Sequence, residues 1–242
     1  MSLTVLSILT LSAFLTANIS AVAGMAGGVL LLSAMTFILP IKLIVPVHGV
    51  VQLISNSSRV FMLRKSVNRK IFLWFSLGLP IGTIISIRLI TSLSDEKYLY
   101  LLIALIIFYS LFKPKVLPSL KIPTAMFSIL GILVGVLGPL IGATGPLVAP
   151  FMLRDDLTKE EIISTKASIQ MLGHFIKIPT FIFLGFDYFQ YSTLTLSMSV
   201  AVVLGTYTGV RILKHITQKN FNLIFKTALF FAAIRLLYKF FT

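Results

Sequence analysis

Two sets of four polar side chains repeat one spacing in this sequence. The members of each set lie at positions i, i+4, i+8 and i+11: His48, Gln52, Asn56 and Arg59 in the first, and Lys166, Gln170, His174 and Lys177 in the second. On an α-helix this spacing forms one stripe. Imidazole, amide, guanidinium and ammonium groups are hydrogen-bond donors, and three members carry positive charge, so the stripes suit an anion.

The positions of the acidic residues also favour an anion as the ligand. All seven lie between the apolar segments of the chain or at their ends: Asp95, Glu96, Asp155, Asp156, Glu160, Glu161 and Asp187. A cation pathway through a membrane usually needs a carboxylate inside it, whereas a cavity with donors and no acid attracts an anion. The alternative is that the three cations extend to the membrane surface and the amides only join neighbouring helices.

Two glycine-rich junctions provide a second candidate anion-binding feature. Their members are Gly24, Gly27 and Gly28 in the first, and Gly142, Thr144, Gly145 and Pro146 in the second. Each precedes a short apolar segment, which predicts a helix beginning inside the membrane with free N–H groups and the positive end of its dipole exposed. Glycine allows close backbone approach, and proline suits a first helical turn. The alternative is close helix packing by small residues.

The composition requires that membrane-spanning helices position these residues. Of 242 residues, 57% are hydrophobic and 12% charged, and the mean hydropathy is +1.00. This apolar content excludes a soluble enzyme or nucleic-acid-binding module, since a soluble domain has about 25% charged residues. The net charge of +14 is attributed to Lys and Arg that anchor loops against membrane lipid, and the absence of cysteine excludes thiolate chemistry.

Polar breaks divide the chain into ten apolar segments, all predicted to be helical. Their limits are 3–22, 25–39, 43–63, 71–91, 97–112, 122–141, 146–153, 160–184, 190–213 and 221–241. Most approach the ~20 residues that span a bilayer, and two are short. The predicted fold is an all-α polytopic membrane protein.

An internal repeat organises the ten segments. The glycine junctions and the polar stripes match at an offset of 118 residues, and Gly82, Thr83 and Arg88 match Gly205, Thr206 and Arg211 at an offset of 123. The prediction is a single membrane domain over 1–242, with a first repeat at 1–115 and a second at 122–242. Five segments in each repeat imply inverted topology if every segment crosses the membrane.

The distribution of basic residues agrees with inversion. With the loop at 64–70 in the cytoplasm and ten crossings, twelve Lys and Arg lie in cytoplasmic loops and four lie outside. The matching loop in the second repeat, 185–190, contains no Lys or Arg. An eight-span arrangement, in which the short segments dip in and return, is the alternative.

The sequence resembles the TauE/SafE sulfite exporter family. The resemblance rests on the junction at 24–28, Pro40 after the first short helix, the repeated junction at 142–146 with Pro150, and the two-half layout. It covers nearly the whole chain, although Pro146 replaces a third glycine and Thr158 stands at the position matching Pro40. The family implies a multi-pass transporter, in a bacterial or archaeal plasma membrane, of small sulfur-containing anions such as sulfite, sulfonates (sulfoacetate) or thiosulfate.

The function expected from the residues and this resemblance is export of such an anion, bound near the membrane midplane between the repeats. The candidate substrate-binding residues are the two stripes together with Gly24, Gly27, Gly28, Gly142, Thr144 and Gly145. No catalytic residue, metal site, cofactor or nucleic-acid partner is expected. A transporter or channel for another small anion, such as a carboxylate, is the alternative, and the sequence does not fix the oligomeric state.

An enzymatic role is not expected. The pair Glu160-Glu161 resembles the start of the motif of intramembrane CAAX-type proteases, but the following basic residue, Lys166, is one position too late and is not arginine. No Gly-x-Ser-x motif marks an intramembrane serine nucleophile.

Overall fold

The computed structural model describes residues 2–23, 27–92, 97–112, 121–152, 154 and 156–212, with 230, 234, 237–238 and 240–241 near the end. Within these residues all regular structure is helical, as predicted. The α-helices are α1 (Leu3–Ala23), α2 (Gly27–Thr36), α3 (Ile41–Leu63), α4 (Arg69–Ser92), α5 (Lys97–Phe112), α6 (Phe127–Ile141), α7 (Gly145–Met152), α8 (Lys159–Phe183) and α9 (Ser192–Ile212). The tenth predicted segment, 221–241, lies largely outside the described residues.

Three helical stretches are long and apolar enough to cross a membrane: Leu3–Ser20, Arg69–Ser92 and Thr124–Ile141. Three shorter apolar helices accompany them within the described part of the chain. The helices α3 and α8 do not meet the same criterion, and both carry polar stripes. The chain is thus a multi-pass membrane protein, whereas its ten-span inverted arrangement stays a prediction.

Glycines bring the long helices into close contact. A Cβ atom on Gly78 or Gly82 of α4 would overlap the α6 backbone at Ser128 or Ile132. A Cβ atom on Gly205 of α9 would overlap the carbonyl oxygen of Phe14 in α1. Small residues permit this approach where lipid supplies no hydrophobic force between helices. The pairs α4–α6 and α1–α9 therefore pack backbone to backbone, while α3 packs along α8.

The beginning of α8 is fixed by a capping box. The Thr158 hydroxyl accepts a hydrogen bond from the Glu161 N–H at 3.2 Å, and the Glu161 carboxylate accepts one from the Thr158 N–H at 2.8 Å. Pro40 is the residue before α3 and makes no side-chain capping bond. At the start of α8, the capping box of Thr158 thus takes the place of the proline that precedes α3 at the matching position.

We expect Thr158→Ala to destabilise the protein by about 1 kcal/mol, because the Glu161 N–H loses its acceptor. Thr158→Ser keeps the hydroxyl and is the matched control. Thermal unfolding in detergent measures both variants. Equal melting temperatures for the Ala and Ser variants would show that the cap does not contribute.

Hydrogen bonds also join the loop after α3 to α8. The Ser164 hydroxyl donates to the Ser66 carbonyl oxygen at 2.6 Å, and the Asn68 N–H donates to the Thr165 hydroxyl at 2.8 Å. Near α7, Arg154 forms a bidentate pair with Asp156 and donates to the Ile122 carbonyl oxygen at 2.7 Å. The hydrogen bonds from Arg154 lower the pKa of Asp156 to about 2. Of these contacts, the bonds made by Ser164 and Asn68 tie the loop that follows α3 to α8.

Candidate functional site

Both polar stripes contribute side chains to the lining of one small cavity between α3 and α8. Among the described residues its lining comprises Ser20, Gly28, Val29, His48, Gln52, Asn56, Arg59, Ala143, Gly145, Gln170 and His174. About 10 Å³ is open to the centre of a water molecule, close to the minimum that holds one water. The stripes therefore share a space, as their repeated spacing predicts, and this conformation is nearly closed around it.

The first stripe lies in the cavity along its whole length. His48 is fully buried, and its Nε2 lies 2.8 Å from the Gly28 carbonyl oxygen at the start of α2. The Asn56 side-chain amide donates to the Gln52 carbonyl oxygen at 2.8 Å. Arg59 donates through Nη2 to the Ser20 hydroxyl at 2.5 Å and to the Ser55 hydroxyl at 3.1 Å. One stripe thus joins α1, α2 and α3 at the cavity wall.

The second stripe contributes only its middle members, Gln170 and His174. Lys177 lies behind His174, where its ammonium donates to the Gly142 carbonyl oxygen at 2.5 Å and lies 3.4 Å from His174 Nδ1. Lys166 is also buried, but it does not belong to the cavity lining given above. The prediction that these two lysines contact the anion directly thus receives no support from this conformation.

Arg59 and Lys177 occupy matching positions of the two stripes and have matching neighbours. Arg59 bonds to Ser20 of α1, and the Lys177 side chain lies against Gly138 of α6. Ser20 and Gly138 are themselves 118 residues apart. Each cation thus lies near the end of the long helix that precedes its glycine junction, where a positive charge is favourable. Only Arg59 also lines the cavity.

The glycine junctions likewise contain some residues that line the cavity and others that do not. Gly28 and Gly145 line the cavity at the amino ends of α2 and α7. Gly27 contacts α1, because a Cβ atom there would overlap Ser20. Gly142 ends α6 with a φ of +78°, which favours glycine, and Thr144 is buried, its carbonyl oxygen accepting bonds from the first turn of α7. Gly24 lies outside the described residues.

Three lining residues were not predicted: Ser20, Val29 and Ala143. Val29 and Ala143 adjoin predicted glycines and carry no polar signal of their own. Ser20 lies in an apolar helix, and its repeat counterpart is Gly138, so neither periodicity nor repetition identified it. Its role as the partner of Arg59 depends on tertiary structure, which brings the end of α1 within hydrogen-bond distance of α3.

A second, larger recess lies at the end of the bundle where α3 begins and α8 ends. Its volume is about 480 Å³, and it is lined by Ile41, Lys42, Val45, Pro46, Ile90, Thr91, Leu99, Pro139, Phe181, Leu184, Gly185 and Phe186. In the order of residues along α3 and α8, His48, His174 and Lys177 lie between the recess and the other members of the two stripes. The two imidazole rings are in edge-to-face contact, 5.7 Å apart between centroids at 67°.

The cavity lining is basic and polar. It contains one permanent cation, Arg59, two histidines and three side-chain amides, and none of the described lining residues is a carboxylate. Within the described residues, no group of three or more His, Cys, Asp or Glu side chains suits a metal ion.

Comparison with protein families identifies the chain. The model of the family described as "Sulfite exporter TauE/SafE" matches residues 9–236 of 242. Comparison with curated proteins and with solved structures gave no match. Because the family model covers both stripes, both glycine junctions, most of α1 and all of the helices α2 to α9, this protein belongs to the TauE/SafE sulfite exporter family of membrane transporters.

Proposed function

We propose that the protein exports a small sulfur-containing anion, such as sulfite, a sulfonate or thiosulfate, and binds it in the cavity between the two stripes. The observation that carries this proposal is the lining itself: Arg59, amide groups and the amino ends of two short helices converge, with no carboxylate among the described lining residues. Buried donors and positive charge stabilise an oxyanion in a low-dielectric site. Family membership supports the sulfur oxyanion as the ligand.

Matching contacts in the two halves support an inverted repeat as the transport machinery. Gly82 faces the Ile132 carbonyl oxygen, and Gly205 faces the Phe14 carbonyl oxygen. Gly82 and Gly205 are 123 residues apart, and Phe14 and Ile132 are 118 apart, the two offsets of the sequence repeat. The fourth helix of each half, α4 or α9, therefore packs on the first helix of the other half in the same register.

Because a helix of each half packs on the first helix of the other, movement of the two halves can open the cavity to the two sides of the membrane in turn. The nearly closed cavity must widen before an anion enters, and the 480 Å³ recess marks one route toward it. With the basic loop after α3 in the cytoplasm, the recess lies on the outer side. Rocking of one repeat against the other opens each side in turn. A negative-inside membrane potential assists export by about 2.3 kcal/mol per charge per 100 mV.

Flux measurements in liposomes test the proposal. Purified protein is reconstituted, and movement of sulfite, thiosulfate and sulfoacetate is compared with that of acetate and lactate. Saturable transport of a sulfur anion, inhibited by the others, supports the proposal. Preference for acetate or lactate would favour the alternative function, a carboxylate transporter. Transport of Na⁺ with no effect of any anion would overturn both.

Arg59→Gln is expected to weaken anion binding by about 1.5–3 kcal/mol, or roughly 10- to 150-fold, because a charged donor leaves the cavity. Isothermal titration with sulfite measures the affinity. The matched control is Arg69→Gln, which removes the same charge from the exposed start of α4. Equal affinity of the two variants would show that Arg59 does not contact the anion.

A further inference from the structure

Three buried polar atoms in the cavity lining have no hydrogen-bond partner among the described residues. They are His48 Nδ1, Asn56 Oδ1 and Arg59 Nε. A buried polar atom without a partner costs about 1–3 kcal/mol, so such atoms mark where a ligand is expected to bond. Their chemical types specify what that ligand must offer.

The existing bonds determine which of these atoms donate. The Gly28 carbonyl oxygen only accepts, so His48 carries a proton on Nε2, and a neutral His48 has a bare, accepting Nδ1. The backbone carbonyl oxygen of Gln52 can only accept a hydrogen bond. It therefore orients the Asn56 amide with Nδ2 toward it and leaves Oδ1 as an acceptor. Arg59 Nε is a donor. The three unpartnered atoms of the cavity are therefore two acceptors and one charged donor.

We infer that the substrate of this site is a small oxyanion that itself carries a hydrogen-bond donor, with hydrogen sulfite as the fitting sulfur species. Its charged oxygens accept from Arg59, and its hydroxyl group donates to Asn56 Oδ1 or His48 Nδ1. Anions with acceptors only, such as the sulfite dianion, thiosulfate, sulfoacetate or methanesulfonate, leave both protein acceptors unsatisfied. This inference rests on the proposed function and narrows its substrate.

The size of the cavity favours the same ligand. The space accommodates about one water-sized centre, so the least expansion is needed for the smallest anion. Hydrogen sulfite and methanesulfonate have the same charge and three sulfur-bound oxygens. In hydrogen sulfite one of these oxygens carries a proton, whereas methanesulfonate has three unprotonated oxygens and an additional methyl group on sulfur. A site that bonds a substrate hydroxyl rejects the analogue lacking it strongly, because the buried acceptor is then left unpaired.

Other titratable groups surround His48 and must be controlled. Arg59 lies on the same helix, and α8 presents His174 and Lys177. The residues of α1, α2, α6 and α7 that line the cavity or adjoin it are uncharged. A change of pH therefore acts on the ligand and on these basic groups, and methanesulfonate, which does not titrate, reports the change in the protein alone.

The test measures binding of sodium sulfite and sodium methanesulfonate to the full-length protein by thermal shift and isothermal titration between pH 6 and 8.5. We expect hydrogen sulfite to bind about tenfold or more tightly than methanesulfonate. Apparent affinity for total sulfite should fall as rising pH converts hydrogen sulfite to the dianion, while that for methanesulfonate changes less. Asn56→Leu should reduce the ratio of the affinity for hydrogen sulfite to that for methanesulfonate. A general loss of protein stability lowers both affinities and therefore leaves this ratio unchanged.

The outcomes separate this inference from the proposed function. Equal binding of hydrogen sulfite and methanesulfonate, or binding of sulfite that strengthens as pH rises, would overturn the inference and leave a sulfur-anion site in place. An unchanged affinity ratio in Asn56→Leu would likewise remove Asn56 as the acceptor and overturn the bond assigned to it. Binding of neither anion would overturn both proposals.

Discussion

Gly82→Ala and Gly205→Ala should each destabilise the protein by about 3 kcal/mol, the upper end of the usual cost of overpacking. In both variants the added methyl group overlaps a backbone carbonyl oxygen of the neighbouring helix, at Ile132 or at Phe14. Backbone does not rotate away as a side chain does, so the helices must separate. Thermal unfolding and size-exclusion chromatography in detergent measure the loss.

Gly173→Ala provides the matched control inside another helix. A Cβ atom at Gly173 meets only the Val134 side chain, at an ordinary distance of 3.8 Å. We expect this variant to retain or exceed the wild-type stability, because alanine favours a helix over glycine by about 1 kcal/mol. If Gly82→Ala and Gly173→Ala melted at the same temperature, α4 and α6 would not pack as closely as described. Different effects of Gly82→Ala and Gly205→Ala would argue against equivalent packing in the two halves.

Gln52→Glu is expected to reduce anion binding and flux by about 100-fold or more. The change keeps the size of the side chain and adds a negative charge to the cavity lining, beside Gly28 and on the same stripe as Arg59. Two like charges 4 Å apart repel by about 4 kcal/mol at an effective dielectric constant of 20. The new carboxylate also competes with the substrate for Arg59.

The control for this substitution is Gln190→Glu, which adds the same charge at an exposed position between α8 and α9. It should leave flux close to wild type. Acidic pH should restore part of the flux of Gln52→Glu, since protonation removes the added charge, and Gln190→Glu shows what pH alone does. Retention of full anion flux by Gln52→Glu at neutral pH would place the substrate elsewhere.

The all-helical membrane fold and most of the polar lining of the candidate site follow from local patterns in the chain. Apolar content and segment length require membrane helices, since so many apolar side chains exceed what one soluble core can bury. The helical repeat places His48, Gln52, Asn56 and Arg59 on one face, because residues four apart are neighbours on a helix. The starts of α2 and α7 after glycines are also local events, and both were predicted to within two residues.

Tertiary packing determines which members of these patterns line the cavity. Arg59 and Lys177 are equivalent in sequence, yet Arg59 meets a serine hydroxyl of α1 and lines the cavity, whereas Lys177 meets the Gly142 carbonyl oxygen behind His174. The sequence repeat pairs Ser20 with Gly138, but it does not show that these residues meet Arg59 and Lys177, because that depends on how helices distant in sequence pack. Likewise, the accepting atoms of His48 and Asn56 are defined only by their carbonyl partners. Spacing along one helix determines which face a side chain is on, and the neighbouring helices determine which of its atoms remain free to bind a substrate.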